Sequence, residues 1–182
     1  CPLPSACMTW NLPMWNQPNL HSIHPTAREV HAWLARGHYE APSGRRVPLR
    51  TAVDAALEGT RLHLPEEIGR LVDRRLEFDG SSITRIEVQA ATSQEAASGL
   101  AEQGDVVVLN FANAVRPGGG FLEGAAAQEE ALCRSSALYP TLLRQPGYYE
   151  LNFRYGSDLY TDAMIHSPRV PSGAGSGQLG AC

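Results

Sequence analysis

The sequence predicts an α/β fold, in which strands and helices alternate along one organised domain. A short apolar run at Val106–Leu109 is rich in β-branched residues, as strands buried in parallel sheets are. A capping box, Thr92-x-x-Glu95, predicts a helix just before this run, and another helix is expected from about Ala126. With 182 residues, 43% of them hydrophobic, the chain is long enough to bury one sizeable core.

The chain begins with residues 1 to 25, which are rich in Pro, Asn and His and show no hydrophobic period. Such a composition predicts an extended, partly disordered leader. Organised structure is expected from Thr26-x-x-Glu29, a second capping box, which opens a helix with Val30 on its apolar face. Gly37 is expected to end this helix, because glycine readily adopts the left-handed conformation found at helix C-termini.

Between this first helix and the apolar run, each expected element is bounded by a local signal. Glycine and proline close or open helices, and alternating apolar residues favour strands. The elements expected here are two extended pieces around Pro42-Ser43-Gly44 within 39–49, a helix through Val53 and Leu57 closed by Gly59, a helix opened by Pro65, a strand through Ile83, Ile86 and Val88, and a helix from Thr92 to Gly104.

After the apolar run, the helix from about Ala126 is expected to end near Tyr139, because Pro140 disfavours its continuation. A last strand is expected over residues 162–170, with Ile165 facing inward. Residues 172–177 consist only of Ser, Gly and Ala, a linker composition that is not expected to form a strand.

The segment Asp105–Leu143 carries the residues that predict a functional site. Its apolar run ends in Asn110–Asn113, a loop with Gly118–Gly120 follows, and Gln128–Glu130 begins the next helix. Three glycines allow the backbone to approach a ligand closely, and their N–H groups can form an anion nest. The helix N-terminus beyond the loop adds unpaired donors and a partial positive charge, which suit a phosphate.

Three side chains of this segment could bind a ligand at such an anion site or exchange protons with it. Asn113 offers two donors and one acceptor, which suit a sugar diol. Glu129 and Glu130 lie about 100° apart around a helix, so that if one faces the cleft the other flanks it and perturbs its proton affinity. Taken alone, a glycine triplet is most often a flexible turn, and paired glutamates most often form a solvated face. The order and spacing of these parts favour a site.

Composition argues against several other classes of function. The formal net charge of −4 gives no basic surface for nucleic acid, and no apolar run is long enough to cross a membrane. The glycine motifs of dinucleotide-binding folds and P-loops are absent. Four cysteines show no CxxC spacing, so neither a zinc site nor a disulfide framework is expected. We expect Cys133 to be a packed thiol and not a nucleophile.

These motifs resemble those of a known family. FAN at 111–113, GGG at 118–120 and, after seven further residues, QEE at 128–130 are similar to the signature of poly(ADP-ribose) glycohydrolases, whose catalytic unit is a macrodomain. The resemblance is to the smaller microbial type and spans residues 26 to 171. Other stretches that resemble this type are GHYEAPSGRRVPL at 37–49, TSQEAA at 92–97, RSSALYPTLL at 134–143 and LYTDAMIHSPRVP at 159–171.

The resemblance implies a macrodomain-like, three-layer α/β/α fold with a mixed central sheet, whose C-terminal part is missing, and a non-family tail at 172–182. It implies hydrolysis of ribose–ribose O-glycosidic bonds in poly(ADP-ribose), releasing ADP-ribose, with no metal or other cofactor. Glu130 would protonate the departing ribose oxygen, and Glu129 would hold ribose hydroxyls. The substrate-binding residues that it implies are Asn113, Gly118, Gly119, Gly120, Phe121 and Gln128.

The resemblance also implies partners and a location. The partners are poly(ADP-ribose), ADP-ribose and ADP-ribosylated proteins, with no membrane and no direct nucleic-acid contact, in the cytoplasm or elsewhere inside the cell. Two other classes of function stay open, a macrodomain that holds ADP-ribose without cleaving it and an inactive, truncated fragment of the enzyme. The QEE motif favours catalysis over pure binding, because a binding module needs no catalytic acid.

Overall fold

A computed structural model describes residues 23–41, 43–73, 83–157, 159–172 and 178–181 of the chain. The leader expected over 1–25 lies outside these ranges up to residue 22, and so does Pro42 of the expected turn. The helices are α1 Pro25–Arg36, α2 Arg50–Gly59, α3 Pro65–Asp73, α4 Ser93–Leu100, α5 Gln128–Ser135, α6 Leu138–Leu143 and α7 Pro146–Tyr155. The strands are β1 His38–Glu40, β2 Arg46–Pro48, β3 Arg61–His63, β4 Val107–Val108, β5 Met164–Pro171 and β6 Gln178–Ala181.

A mixed sheet of four strands runs in the order β3-β5-β6-β4. Strand β5 pairs antiparallel with β3 and with β6, and β6 pairs parallel with β4. Strands β1 and β2 form a separate antiparallel hairpin. Helices α2 and α6 contact β5, and α4 contacts β4. A mixed sheet with helices packed on it confirms the α/β class that the sequence predicts.

The hydrophobic core is built around the short helix α6, of which Leu138, Tyr139 and Leu142 are buried. Helix α2 approaches β5 so closely that a Cβ on Gly59 would lie 2.6 Å from Pro168 Cγ. The last residue of α2 is therefore a glycine because a side chain there would separate the helix from the sheet.

Local signals predict several helix ends and strands correctly. Gly37 ends α1 with φ at 71°, and its N–H donates to backbone carbonyls of the last helical turn. The capping box of α4 forms in full, since Thr92 and Glu95 each accept a hydrogen bond from the other's backbone N–H. Pro65 opens α3, and Ile165 of β5 is buried, as expected.

The expected start of α1 and end of α4 are wrong. His24 is the N-cap residue of α1 and Pro25 begins the helix, so no capping box forms at Thr26. The Thr26 hydroxyl instead lies 2.8 Å from His24 Nδ1. Helix α4 ends at Leu100, four residues before Gly104. Proline at the first helical position sets the start of α1, because its fixed φ suits a helix and it lacks a donor to satisfy.

The single helix expected from about Ala126 to Tyr139 is also wrong, because two helices, α5 and α6, occupy this part of the chain. Ser136 has extended backbone angles and separates them. Pro140 lies in the first turn of α6, where its missing N–H costs no helical hydrogen bond. Proline therefore belongs to the start of a helix here and not to the end of one.

The strand expected through Ile83, Ile86 and Val88 is not formed. Residues 83–89 have no regular structure, and these three side chains are 95%, 85% and 96% exposed. Their β-branched side chains favour a strand locally, but a strand also needs a neighbouring strand, and no described residue pairs with this segment.

Two elements are formed where the sequence analysis expects none. Helix α7 follows α6, and β6 lies in the tail, between β5 and β4 in the sheet. Ser172 forms an isolated bridge with Ser136, and residues 173–177 lie outside the described ranges. Strand β5 shifts register between Ser167 and Val170, a bulge in which Arg169 adopts φ at 55°.

Candidate active site

Strand β4 ends at Val108, and the loop 109–120 leaves its carboxyl end, where open α/β sheets bind ligands. The first turn of α5 faces this loop. Its three consecutive side chains, Gln128, Glu129 and Glu130, each accept a hydrogen bond from a different part of the loop backbone. The sequence prediction that the glycine loop and the paired glutamates meet at one place is therefore correct.

Gln128 holds the end of the strand. Its Oε1 accepts the Phe111 N–H at 2.9 Å, and its Nε2 donates to the Leu109 carbonyl at 2.8 Å and to Ser93 Oγ at 3.2 Å. Both N–H bonds of the carboxamide and its oxygen are thus engaged within the chain. Within the described chain Gln128 therefore supports the loop, and the substrate contact that the resemblance implies for it stays a prediction.

Glu129 is 3% exposed and accepts hydrogen bonds on both oxygens. Asn110 Nδ2 donates to Oε1 at 3.2 Å, and the Asn113 backbone N–H donates to Oε2 at 2.9 Å. Burial raises the pKa of the Glu129 carboxyl, the hydrogen bonds from Asn113 and Asn110 oppose this shift, and the neighbouring Glu130 charge adds to it. Asn110 is not among the site residues expected from the sequence, although it lies next to the strand end, three residues before Asn113.

Glu130 is 7% exposed and has two oxygens in different surroundings. Oε1 accepts the Gly120 backbone N–H at 2.8 Å. Oε2 is buried and has no hydrogen-bond partner among the described residues. One carboxylate oxygen is thereby fixed in place, whereas the other has its hydrogen-bonding capacity unused within the described chain.

The glycine triplet packs directly against this carboxylate pair. A Cβ on Gly119 would lie 2.3 Å from Glu130 Oε1 and 3.3 Å from Glu129 Oε2. A Cβ on Gly118 would lie 2.7 Å from Tyr139 Cδ2, and Gly118 and Gly119 both have positive φ. These positions require glycine because the two carboxylates and a tyrosine ring occupy the space of a side chain.

The anion nest expected from the triplet is not formed, since all three of its N–H groups are engaged within the chain. The Gly118 N–H bonds to Glu129, the Gly119 N–H donates to the Arg116 carbonyl at 3.0 Å, and the Gly120 N–H donates to Glu130. Carboxylates are strong acceptors, and two of them at the start of α5 take the donors that a phosphate would use.

Three more predicted residues have different environments. The Asn113 Oδ1 accepts the backbone N–H groups of Val115 at 3.0 Å and Arg116 at 2.8 Å, so its acceptor serves the turn and not a sugar. Phe121 is 1% exposed and its ring centroid lies 5.1 Å from that of Tyr139, which places it in the core beneath the site. Cys133 is fully buried, as expected of a packed thiol, and burial raises its pKa.

A cavity of about 150 Å³ lies next to Asn110, the residue whose amide donates to Glu129. Asn110, Ala112, Tyr148, Met164 and Ser167 are among the residues that line it. The Asn110 Oδ1 is buried without a partner among the described residues. Because Asn110 Nδ2 also bonds to Glu129, this side chain connects the cavity wall to the buried carboxylate.

Residues 27–172 match the family model of the catalytic domain of microbial-type poly(ADP-ribose) glycohydrolase (PARG). Among curated proteins, no significant match was found. No described helix is both long and apolar enough to span a membrane, and the described His, Cys, Asp and Glu residues form no cluster able to hold a metal ion.

Several solved structures are similar to the chain. Poly(ADP-ribose) glycohydrolase (PARG) from Thermomonospora curvata is 45% identical, with a TM-score of 0.78 over 81% of this chain and 54% of that one. The same enzyme bound to the inhibitor ADP-HPD is 45% identical, with a TM-score of 0.74 over 81% of this chain and 53% of that one. The Deinococcus radiodurans enzyme in complex with ADP-ribose is 38% identical, with a TM-score of 0.63 over 75% of this chain and 58% of that one. The chain thus spans about half the length of the first of these relatives.

Proposed function

The chain belongs to the family of microbial-type poly(ADP-ribose) glycohydrolase catalytic domains, and we propose that it hydrolyses the ribose–ribose O-glycosidic bonds of poly(ADP-ribose), releasing ADP-ribose. The observation that carries the proposal is the pair of buried carboxylates, Glu129 and Glu130, held against the glycine triplet at the end of β4. Two carboxyl groups at one site are what most glycosidases use to pass through an oxocarbenium-like state.

In this proposal Glu130 is the general acid and base. Its Oε1 accepts the Gly120 N–H and therefore cannot easily carry the proton, so the proton belongs on Oε2. Oε2 donates that proton to the departing ribose oxygen as the glycosidic bond breaks. The same oxygen then accepts a proton from the water molecule that attacks the ribose C1 atom, and the acid is regenerated.

Glu129 would hold ribose hydroxyls beside the reacting bond. The two carboxylate oxygens have four lone pairs, and three of them are used by Asn110 Nδ2, the Asn113 N–H and the Gly118 N–H. One lone pair therefore remains to accept a ribose hydroxyl. Its rigid attachment to the loop suits a group whose task is to orient a substrate.

The remaining predicted residues would contribute in different ways. Asn113 offers its amide NH2 group to the substrate, since its oxygen is used by the turn. Gly118, Gly119 and Gly120 form the wall that fixes the carboxylates, Phe121 packs in the core next to Tyr139, and Gln128 holds the strand end at Leu109 and Phe111. A polymeric ADP-ribose substrate on modified proteins would place the chain inside the cell, in the reversal of ADP-ribosylation.

The test is incubation of the purified chain with poly(ADP-ribose), with ADP-ribose release followed by chromatography. We expect release by the parent chain and a loss of turnover on the order of 10²-fold or more in Glu130→Gln, because glutamine cannot deliver or accept the proton. Calorimetric titration with ADP-ribose should give similar binding for both proteins.

Each other outcome contradicts part of the proposal. Binding of ADP-ribose without release from the polymer would make the chain a binding module. Neither binding nor release would contradict the proposed function altogether. Full turnover in Glu130→Gln with loss in Glu129→Gln would exchange the roles of the two carboxylates.

A further inference from the structure

The mechanism above leaves one motif of the sequence unused, the TSQEAA stretch at 92–97, which forms the start of α4. Helix α4 packs against α5, the helix that carries both carboxylates. Ser93 is the first residue of α4, and its half-buried side chain faces Gln128. Its hydroxyl oxygen lies 3.2 Å from Gln128 Nε2.

The hydrogen bonds of Gln128 fix the orientation of its carboxamide. Its oxygen accepts the Phe111 N–H, one of its N–H bonds points to the Leu109 carbonyl, and the other points to Ser93. A rotation that exchanges oxygen and nitrogen would set an NH2 group against the Phe111 N–H and an oxygen against the Leu109 carbonyl. The carboxamide therefore has one good orientation, with Ser93 as its third partner.

The strand end that Gln128 holds contains Asn110. Leu109 and Phe111 are the two residues beside it, and both bond to Gln128. Asn110 itself donates to Glu129. Any displacement of the Gln128 carboxamide therefore moves the donor that orients the buried carboxylate.

We propose that Ser93 is a positioning residue for the site. Its hydroxyl holds the Gln128 carboxamide, and through it the segment Leu109–Phe111, in the arrangement that places Asn110 on Glu129. The part of this proposal that concerns substrate rests on the proposed function, whereas the part that concerns Gln128 and Phe111 does not. Ser93 touches neither carboxylate in this structure, so it acts only through Gln128.

The test compares Ser93→Thr, which keeps the hydroxyl, with Ser93→Val. Valine has the shape of threonine but carries a methyl group in place of the hydroxyl. Amide hydrogen exchange measured by NMR reports each support separately, through the Phe111 N–H on Gln128, the Asn113 N–H on Glu129 and the Gly120 N–H on Glu130. In Ser93→Val we expect exchange at Phe111 to be about two- to tenfold faster, the size of one lost hydrogen bond, with Gly120 unchanged. In Ser93→Thr we expect the parent rate at both sites.

A matched control lies one residue further along α4. Gln94 Nε2 donates to Ser135 Oγ at 3.4 Å, a bond between the same two helices that does not involve Gln128. Gln94→Met removes this bond and keeps the length of the side chain. We expect its Phe111 exchange rate and its ADP-ribose affinity to equal those of the parent chain.

The outcomes separate this inference from the proposed function. Parent-like Phe111 exchange in Ser93→Val, or equal acceleration in the Thr and Val variants, would overturn the positioning role. Acceleration at Phe111 and Gly120 together would also overturn it, as general loosening. ADP-ribose affinity should fall about two- to tenfold in Ser93→Val alone. If the parent chain bound no ADP-ribose, the proposed function would fail while the exchange rates still decided the role of Ser93.

Discussion

Gly119 and Glu130 fit against each other so closely that one methyl group does not fit between them. A Cβ on Gly119 would lie 2.3 Å from Glu130 Oε1, the oxygen that also accepts the Gly120 N–H. The glycine triplet and the second glutamate of the sequence motif are therefore one packed unit, and a change in either is expected to displace the other.

We predict that Gly119→Ala destabilises the chain by about 2–5 kcal/mol, the sum of an overpacked contact and a left-handed alanine. Gly44→Ala is the matched control, because Gly44 has φ at 77° but nothing within 4 Å of an added Cβ. It should show only the backbone cost, about 1–2 kcal/mol. Urea unfolding of both variants measures this, and equal losses would mean that Glu130 yields without cost.

Glu129→Gln should destabilise the chain more than Glu130→Gln. Both oxygens of Glu129 accept N–H groups, so either orientation of a glutamine sets its NH2 group against a donor, which costs about 1–3 kcal/mol. A glutamine at position 130 keeps its oxygen on Gly120 and places its NH2 group where Oε2 has no described partner. Thermal unfolding of the two variants measures the difference, and the reverse order of stability would contradict the assigned hydrogen bonds.

The raised pKa of Glu129 predicts a pH dependence of stability. Burial raises this pKa above its ordinary value of 4.5, so the folded chain holds more protons than the unfolded chain just above that pH. The contribution of Glu129 is fully present below pH 4.5 and is lost as pH rises through the raised pKa. Urea unfolding across this range should show a steeper fall in the free energy of unfolding for the parent than for Glu129→Gln. Parallel curves would contradict the shift.

Arg169 is an exposed residue in left-handed backbone at the β5 bulge, with φ at 55°. Asparagine tolerates this conformation and a β-branched residue does not. We predict that Arg169→Val costs about 1–2 kcal/mol while Arg169→Asn is neutral or slightly stabilising. Chemical unfolding of the pair measures this difference, and equal stability of the two variants would show that the bulge relaxes to another conformation.

The features that the sequence predicts well depend on neighbours along the chain. Gly37, Pro65 and the Thr92–Glu95 pair act within one helical turn, and the motif at 128–130 is recognised by its order and spacing together with its resemblance to a known family. The strand expected around Ile86 fails because its formation depends on a pairing partner, which no local pattern supplies.

Among the site residues, too, the sequence predicts what depends on neighbours along the chain and not what depends on tertiary contacts. The sequence predicts that the two carboxylates lie next to the glycine loop, but it does not reveal that the N–H groups of the glycine triplet are used by the chain itself. Gln128 belongs to the motif, but its side chain bonds to the backbone of the loop. Phe121 follows the glycine triplet, but its side chain lies in the core. Which side of a loop a side chain faces depends on tertiary packing, and so does the role of Asn110.

The turn after Asn113 also limits what a compound can do at this site. In the sequence, an asparagine is ambivalent and can meet either a donor or an acceptor. In the folded chain its oxygen accepts the N–H groups of Val115 and Arg116. Of the two polar groups of this side chain, only the NH2 group has no partner among the described residues. Asn113 can therefore only donate hydrogen bonds to a ligand. Under the proposed function, an inhibitor would gain from an ether, carbonyl or hydroxyl oxygen opposite that nitrogen, whereas an ammonium group in the same place would meet repulsion.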